Sequence, residues 1–329
     1  MRPFAYERAA DAASGVAARA ADGPAVMYLG GGTNLVDLMK LGVETPERLV
    51  DVSRLPLDAI DELPGGGLRI GAAVRNSDLA ADRLVCERYP MLAQALLAGA
   101  SGQLRNVATV AGNLLQRTRC SYFQDVSKPC NKRRQGSGCP AREGDHRNLA
   151  VLGHSPACVA THPSDMAVAM AAIGAEVRVA GPGGERTIPI PGLHRLPGDV
   201  PRRDTVLDPA DLITAVDLPP LAMAARSRYR KVRDRASFAF AVVSIAAAVD
   251  LDGDTVREAR IAFGGLAHVP WRATRAEEAL RGAPAGEESY LRAAEAELAA
   301  AEPLRDNAFK VPLARSLLVR TLTELGEEA

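Results

Sequence analysis

Aromatic residues make up only 4% of this sequence of 329 residues. The chain has no formal net charge and no long apolar run. Its 40 Lys and Arg balance its 40 Asp and Glu, so no strong positive field favours nucleic acid binding. No segment approaches the roughly 18 consecutive apolar residues of a membrane-spanning helix, and we expect no membrane insertion. The N-terminus has neither the apolar core of a secretory signal nor a twin-arginine motif. We therefore expect no export signal on this chain.

Cysteine is also scarce, but four of the five cysteines are clustered, at Cys120, Cys130, Cys139 and Cys158. Their segment contains several glycines and prolines and has little periodic apolar signal. A structureless segment of this length is usually functional or disordered. We interpret the four cysteines as sharing one function. Cys86 stands apart in a helical pattern and is predicted to be a small buried apolar side chain.

Three interpretations of the four clustered cysteines remain open from spacing alone. Structural zinc sites usually contain closely spaced cysteine pairs, which are missing here. Two disulfides would require an oxidising compartment, which no export signal supports. An iron–sulfur cluster needs four thiolates and tolerates wide spacing if a folded loop brings them together. Nearby basic residues would help to offset the thiolate charge.

Two glycine-containing loops are candidates for binding a phosphate-bearing ligand. Gly30-Gly31-Gly32 follows a strand-like run and precedes Thr33, Asn34 and a helical pattern. Glycine N–H groups without a neighbouring Cβ, beside a helix N-terminus, suit a pyrophosphate. The loop matches neither the Rossmann nor the P-loop pattern. The second loop is Thr109-Val110-Ala111-Gly112-Asn113, and each loop taken alone could also be an ordinary turn.

Pro219-Pro220 is the best domain boundary, which predicts domains at 1–220 and 221–329. The predicted elements of the first domain are helices at 7–21, 34–41, 84–99 and 163–174, strands at 25–29, 48–52 and 211–218, and a hairpin over 176–190. Those of the second are strands at 226–233, 239–251 and 256–264, followed by helices at 272–281, 287–301 and 311–325. Strands followed by helices favour a separate α+β domain.

Together these motifs resemble the FAD-binding (medium) subunits of the molybdenum hydroxylases, the xanthine dehydrogenase and carbon monoxide dehydrogenase group. The resemblance rests on the two glycine loops, Ser164-Asp165 and Tyr229-Arg230-Lys231, and it spans nearly the whole chain. The cysteine segment resembles the branch of bacterial periplasmic aldehyde oxidoreductases, whose FAD subunit carries an additional [4Fe-4S] cluster. The alternatives are a 4-hydroxybenzoyl-CoA reductase-like or a xanthine dehydrogenase-like medium subunit.

The resemblance implies an α+β fold with a two-part FAD-binding domain of the vanillyl-alcohol-oxidase type. Its parts would be residues 1–55 and 56–220, with a [4Fe-4S] insertion at about 118–162. The C-terminal α+β domain would contain a three-stranded antiparallel sheet and helices. The chain would be the electron-transfer subunit of a molybdenum-dependent aldehyde oxidoreductase and inactive on substrate alone.

The resemblance also assigns partners and a location. A large subunit would hold the molybdenum cofactor and a small subunit the [2Fe-2S] centres, in a heterotrimer or its dimer. The complex would be cytoplasmic, or periplasmic by co-export with a partner that carries a twin-arginine signal. A different class of protein, a zinc-stapled nucleotide-binding scaffold, is the competing hypothesis.

The site residues that the resemblance implies fall into two sets. In the first, the glycine loop would hold the FAD pyrophosphate, Asp165 would bind hydroxyl groups, Lys231 would approach the isoalloxazine ring, and Leu212 would contact the flavin through its backbone. The full FAD set is Leu29, Gly30, Gly31, Gly32, Thr33, Asn34, Leu35, Thr109, Gly112, Asn113, Ser164, Asp165, Leu212 and Lys231. The metal ligands would be Cys120, Cys130, Cys139 and Cys158.

Overall fold

The N-terminal part of the chain forms a three-stranded parallel sheet with strand order β1-β3-β2 in the computed structural model, which describes residues 1–327. The prediction of a helix over 7–21 is wrong at its start. Residues 5–8 pair with β3 as a strand, and the helix begins after Asp11, whose side chain accepts a hydrogen bond from Ser14 N–H. The elements are β1 (Ala5–Arg8), α1 (Ala12–Asp22), β2 (Val26–Leu29), α2 (Leu35–Lys40) and β3 (Arg48–Asp51).

The second part is built on a five-stranded antiparallel sheet, in the order β4-β5-β8-β6-β7. Its strands are β4 (Ile60–Glu62), β5 (Leu68–Gly71), β6 (Glu176–Gly181), β7 (Gly184–Pro189) and β8 (Leu212–Leu218). Its helices are α3 (Asn76–Ala81), α4 (Arg83–Arg88), α5 (Pro90–Ala98), α6 (Gly102–Arg105), α7 (Val110–Leu114), α8 (Ser121–Gln124), α9 (Asp165–Ile173) and α10 (Ile190–Leu193).

The predicted helix over 84–99 is two helices. Tyr89 leaves the helical conformation and Pro90 begins α5, because a proline restricts the residue before it and favours the first helical position. Helix α9 matches its prediction and is buried along its whole length. It packs against α5, which is buried along one face, and so lies at the centre of the first domain.

The cysteine segment, residues 118–162, is largely irregular, as its composition predicts. It contains α8, a short 3-10 turn at Pro140–Arg142 and isolated bridges such as Leu152↔Ala267. It has a small apolar core of its own, to which Leu38 of α2 contributes. The segment is therefore an ordered insertion fixed to its surroundings.

The C-terminal domain is a four-stranded antiparallel sheet covered by helices, in the order β12-β11-β10-β9. The three predicted strands are confirmed, and the two-residue strand β12 adds a fourth. The strands are β9 (Ser227–Val232), β10 (Val243–Asp252), β11 (Thr255–Gly264) and β12 (Trp271–Arg272), and the helices are α11 (Thr274–Leu280), α12 (Glu287–Leu298) and α13 (Lys310–Glu327). Residues 328 and 329 of the predicted domain 221–329 lie outside the described residues.

Strand β10 joins the cores of the two domains. Ala246 and Ala248 belong to the core of the first domain, whereas Ile245, Ala247 and Val249 belong to the core beneath the C-terminal helices. Because successive side chains in a strand point to opposite faces, one sheet is buried on both sides. The two domains therefore pack closely around β10, and a cavity lies at the edge of their contact. Within residues 1–327, no helix is long and apolar enough to cross a membrane.

Candidate functional site

A cavity of about 640 Å³ opens where the parts of the chain meet. Its wall includes Asn34 from the N-terminal part, Asn113 from the second part, Asn148 from the cysteine segment and Lys231 from the C-terminal domain. Pockets that hold drug-sized ligands and cofactors typically have volumes of this order. A ligand in this cavity would contact every unit of the fold.

A buried ion pair spans the contact between the two domains at this cavity. Asp165, the first residue of α9, accepts a hydrogen bond at 2.7 Å from Lys231 Nζ and a second one from the Tyr229 hydroxyl. Lys231 also donates to the Ala98 carbonyl at 3.0 Å, and the side chains of Lys231 and Asp165 are only 3% and 7% exposed. Burial raises the pKa of Asp165, although the Lys231 ammonium opposes that shift. The pair fixes the Lys231 ammonium and its counter-charge in the cavity wall.

The predicted second glycine loop and Ser164 come together beside this pair. The Ser164 hydroxyl caps α9 by accepting from Ala167 N–H at 3.0 Å, and it donates to Asn113 Oδ1 at 2.6 Å. Thr109 caps α7 by accepting from the Gly112 N–H. Asn113, Gly112 and Ser164 line the cavity. The Ser164–Asn113 hydrogen bond explains why the start of α9 and the second glycine loop occupy one wall.

The first glycine loop packs tightly against the segment that precedes the second. A Cβ on Gly31 would lie 2.0 Å from the Val107 carbonyl oxygen, and Gly32 has a φ of +73°. Within residues 1–327, the N–H groups of residues 31–33 donate to no backbone carbonyl, so they are available to a ligand. Thr33 and Asn34 line the cavity.

The structure places the other predicted FAD residues behind the cavity wall or away from it. Leu29 ends β2, Leu35 begins α2, and Gly30 packs against the Thr109 side chain. Leu212 begins β8 and packs in a small apolar cluster with Val16 and Leu55. A backbone contact between Leu212 and a flavin stays a prediction.

Several polar and aromatic residues in the cavity wall were missed by sequence reasoning. Asn76 is 3% exposed and its buried Oδ1 has no hydrogen-bond partner, which suits a ligand donor at the cavity. Phe238 and Phe240 are exposed at 56% and 51% and lie in the stretch between β9 and β10. The Arg119 guanidinium lies 5.0 Å from the Phe240 ring centroid. No local motif marks these residues, since their role depends on long-range packing.

The four clustered cysteines line one small second cavity. All are free thiols, so the disulfide interpretation is not supported by this geometry. Burial raises the pKa of the Cys120 and Cys139 thiols, and it raises the pKa of Cys158 to about 12. Removing these protons requires a metal centre or a nearby positive charge. Cys86, predicted to be buried, is exposed on α4 instead, and that prediction is wrong.

Cys120 lies in the wall of both cavities. It precedes α8, and its neighbour Ser121 also faces the larger cavity. Among residues 1–327, no three His, Cys, Asp or Glu side chains approach one point closely enough to hold a single metal ion. A [4Fe-4S] cluster distributes four thiolates over several irons, whereas zinc gathers its ligands about 2.0–2.3 Å from one ion. Four thiols around one cavity are the kind of donor set that an iron–sulfur cluster uses.

Comparison with known proteins gives the family. Residues 2–221 match the FAD-binding domain of molybdopterin dehydrogenases, and residues 227–325 match the carbon monoxide dehydrogenase flavoprotein C-terminal domain. The chain is 50% identical over its full length, and over 100% of the relative, to the aldehyde oxidoreductase FAD-binding subunit PaoB of Escherichia coli (strain K12). It is 26% identical to the carbon monoxide dehydrogenase medium chain of Hydrogenophaga pseudoflava, with 97% of this chain and 96% of that protein covered.

A solved structure agrees with the sequence comparisons. Carbon monoxide dehydrogenase from Hydrogenophaga pseudoflava superposes with a TM-score of 0.79 at 25% identity, covering 100% of this chain and 99% of the other. The superposed region includes the segments that carry both glycine loops, Asp165 and Lys231. The chain therefore belongs to the FAD-binding medium subunits of the molybdenum hydroxylase family.

Proposed function

We propose that this chain is the FAD and [4Fe-4S] subunit of a molybdenum-dependent aldehyde oxidoreductase, which oxidises aldehydes to carboxylates. Electrons would arrive from the [2Fe-2S] centres of a small subunit, after substrate oxidation on a large subunit that holds the molybdenum cofactor. They would leave through this chain to an external acceptor. The observation that carries the proposal is the shared wall at Cys120, which joins the larger cavity to the cavity of the four cysteines.

The larger cavity is the proposed FAD site. The free N–H groups around Gly31 and Gly32 would bind the pyrophosphate, with Thr33, Asn34 and Asn113 completing the polar wall. FAD, when bound, supplies a redox centre that exchanges electrons with one-electron centres and with an acceptor. The Lys231 ammonium, held by Asp165, would supply a positive charge near the negative charge that develops on reduction. Lys231 thus acts by electrostatics and needs no proton transfer of its own.

Cys120, Cys130, Cys139 and Cys158 are the proposed cluster ligands. They line a common cavity, and each would bind as a thiolate, with release of its proton. The apolar side chains packed around them, among them Phe123 and Val159, exclude water from the cavity. Exclusion of water protects a cluster and raises the energetic influence of nearby charges.

The assembly and the domain boundary are parts of the same proposal. We propose a heterotrimer, or its dimer, with domains at 1–220 and 221–329. The chain would function in the same compartment as its partners. That compartment would be the cytoplasm, or the periplasm if a partner with a twin-arginine signal carries the chain across the membrane. The aldehyde assignment is supported by the 50% identity to the E. coli aldehyde oxidoreductase subunit.

The test is metal and flavin analysis of the complex, expressed anaerobically with its genomic neighbours. We expect one FAD and about four irons on this chain, above the irons of the [2Fe-2S] subunit. Cys130→Ser should remove those irons while FAD stays bound, and Cys86→Ser, on the exposed α4 position, is the matched control. Addition of an aldehyde should bleach the flavin absorbance. Zinc in place of iron, with no flavin, would establish the scaffold hypothesis instead.

A further inference from the structure

The cysteine segment contains one fully buried cation. Six basic residues lie from position 117 to position 134. The sequence alone does not show which of them is buried. Lys128 and Arg134 are exposed, whereas the Lys132 side chain is 1% exposed. Lys132 follows Cys130 by two positions and lines the cavity of the four cysteines. A buried ammonium at that place requires a physical reason, since burial of a charge is costly.

The three donors of the Lys132 ammonium all have acceptors. The ammonium donates to the Pro201 carbonyl at 3.0 Å, to the Asp204 carboxylate, and to His268 Nε2 at 2.7 Å. Because His268 Nε2 accepts, the imidazole proton is on Nδ1, which lies 3.1 Å from the Ala160 carbonyl. Lys132 is thus held in one position from three directions.

The carboxylate that holds Lys132 is itself shared. Asp204 also accepts from Arg117 Nε at 2.9 Å, and Arg117 pairs with Glu44. Burial alone would raise the pKa of Asp204, but the charges of Lys132 and Arg117 and the His268 contact hold it well below its ordinary value. These two cations and two carboxylates balance, so the network is complete without the cysteines.

Addition of four thiolates changes this balance. A [4Fe-4S] centre with four thiolates carries net negative charge, which increases by one on reduction, and net charge is one of the factors that set its potential. A fixed positive charge beside the cavity stabilises the reduced form more than the oxidised form.

We propose that the buried positive charge of Lys132, beside the cysteine cavity, raises the reduction potential of the cluster bound there. This inference rests on the proposed function, because it requires a cluster. Asp204 and His268 hold the ammonium at a small adjoining cavity that Lys132 also lines, and Asp204 moderates its effect. Loss of Lys132 should lower the potential, and neutralisation of Asp204 should raise it.

The test compares three variants in the assembled complex. Lys132→Gln removes the buried charge, Asp204→Asn removes its counter-charge, and Lys128→Gln removes an exposed charge from the same segment. Reductive titration followed by the paramagnetic signal of the cluster gives the midpoint potential, and iron analysis gives the occupancy. We expect a lower potential for Lys132→Gln, a higher one for Asp204→Asn and no change for Lys128→Gln, because solvent screens an exposed charge.

Opposite shifts separate an electrostatic role from a structural one, since both buried variants disturb the same contact. Equal potentials in all variants, or shifts in the same direction for Lys132→Gln and Asp204→Asn, would overturn the inference. If the Lys132→Gln complex fails to assemble, the Asp204→Asn complex alone tests the inference. A cluster potential in Asp204→Asn that is equal to or lower than that of the unmodified complex would overturn the inference. Absence of the additional iron from the unmodified complex would instead overturn the proposed function.

Discussion

Asp165 and Lys231 show how burial converts two ordinary polar residues into a site. They are 66 positions apart in sequence, and each alone would be interpreted as a helix cap or a solvated strand residue. In the fold they share a hydrogen bond at the contact between the domains. Removal of one partner from a buried ion pair leaves the other charge uncompensated, at a cost of about 3–5 kcal/mol.

The first prediction concerns this pair. Asp165→Asn should lower the free energy of unfolding by about 3 kcal/mol and reduce the FAD content, because Lys231 would keep only neutral acceptors. Denaturant unfolding and the flavin-to-protein ratio measure the two effects. Glu87→Gln is the control: its pair with Arg83 is exposed, and its effect should stay below about 1 kcal/mol. Equal effects for both variants would contradict the prediction.

Three imidazoles, of which His194 and His268 are buried and His162 is half-buried, give the second prediction, which concerns pH. Burial lowers the pKa of His194 and His268 below 6.5 and that of His162 well below it. The unfolded chain therefore binds protons that the folded chain does not, and acid favours unfolding. This stability is fully present above about pH 6.5, the unfolded pKa, and is lost as the pH falls towards the folded values.

Urea unfolding at about pH 7.5 and about pH 5 measures this loss, since ordinary carboxylates remain charged over that interval. The midpoint should be lower at the acid end. In the His194→Asn chain, which has one buried imidazole fewer, the midpoint should change less over the same interval. A midpoint that is unchanged or higher at about pH 5 would show that these imidazoles are accessible to protons.

At the scale of elements, the turn after β2 depends on how closely two loops approach each other. Gly31 faces the Val107 carbonyl, and backbone cannot shift as the end of a side chain can. Gly32 uses a positive φ, which L side chains rarely adopt. The glycine run therefore serves the contact with the second loop as well as access to its N–H groups.

The third prediction follows from this contact. Gly31→Ala should reduce FAD content and destabilise the chain by about 1–3 kcal/mol, because the new methyl group must displace backbone. Gly183→Ala, in the β6–β7 turn, is the control, since a Cβ there meets no atom within 4 Å. Flavin analysis and denaturant unfolding compare the two chains. Unchanged FAD content in Gly31→Ala would show that the loop is not part of the flavin site.

At the scale of the whole molecule, the larger cavity is bounded by every unit of the fold, while β10 is shared by both cores. A ligand that binds only this assembled arrangement stabilises the folded state by mass action, by about 2.7 kcal/mol at 100 times its dissociation constant. The cofactor would then hold the domains together as well as carry electrons.

The fourth prediction concerns removal of the cofactor. The chain stripped of FAD should unfold at a lower temperature than the loaded chain, and added FAD should restore the transition. Riboflavin, which lacks the pyrophosphate and the adenosine, should restore less, since it cannot use the N–H groups of the glycine loop. Calorimetry with both compounds checks this. Equal shifts with FAD and riboflavin would place the stabilising contacts at the ring alone.

Much of the element structure could be predicted from the sequence, because periodicity, caps and turns are local. The run at 25–29, the hairpin over 176–190 and the three strands after Pro219-Pro220 all form as the patterns indicate. Strand β1 was missed because a four-residue strand has little local signal and depends on pairing with β3. The break at Pro90 has a local cause and could have been predicted.

The family resemblance, the two glycine loops and the clustering of four cysteines can all be recognised in the amino-acid sequence, because these are patterns of neighbouring residues. Which groups are buried together follows from the folded chain. Cys86 is exposed although its pattern suggested burial, and Lys132 is buried whereas Lys128 and Arg134 of the same segment are exposed. Burial and charge pairing depend on contacts between segments that are far apart in the chain, and the spacing of neighbouring residues does not encode those contacts.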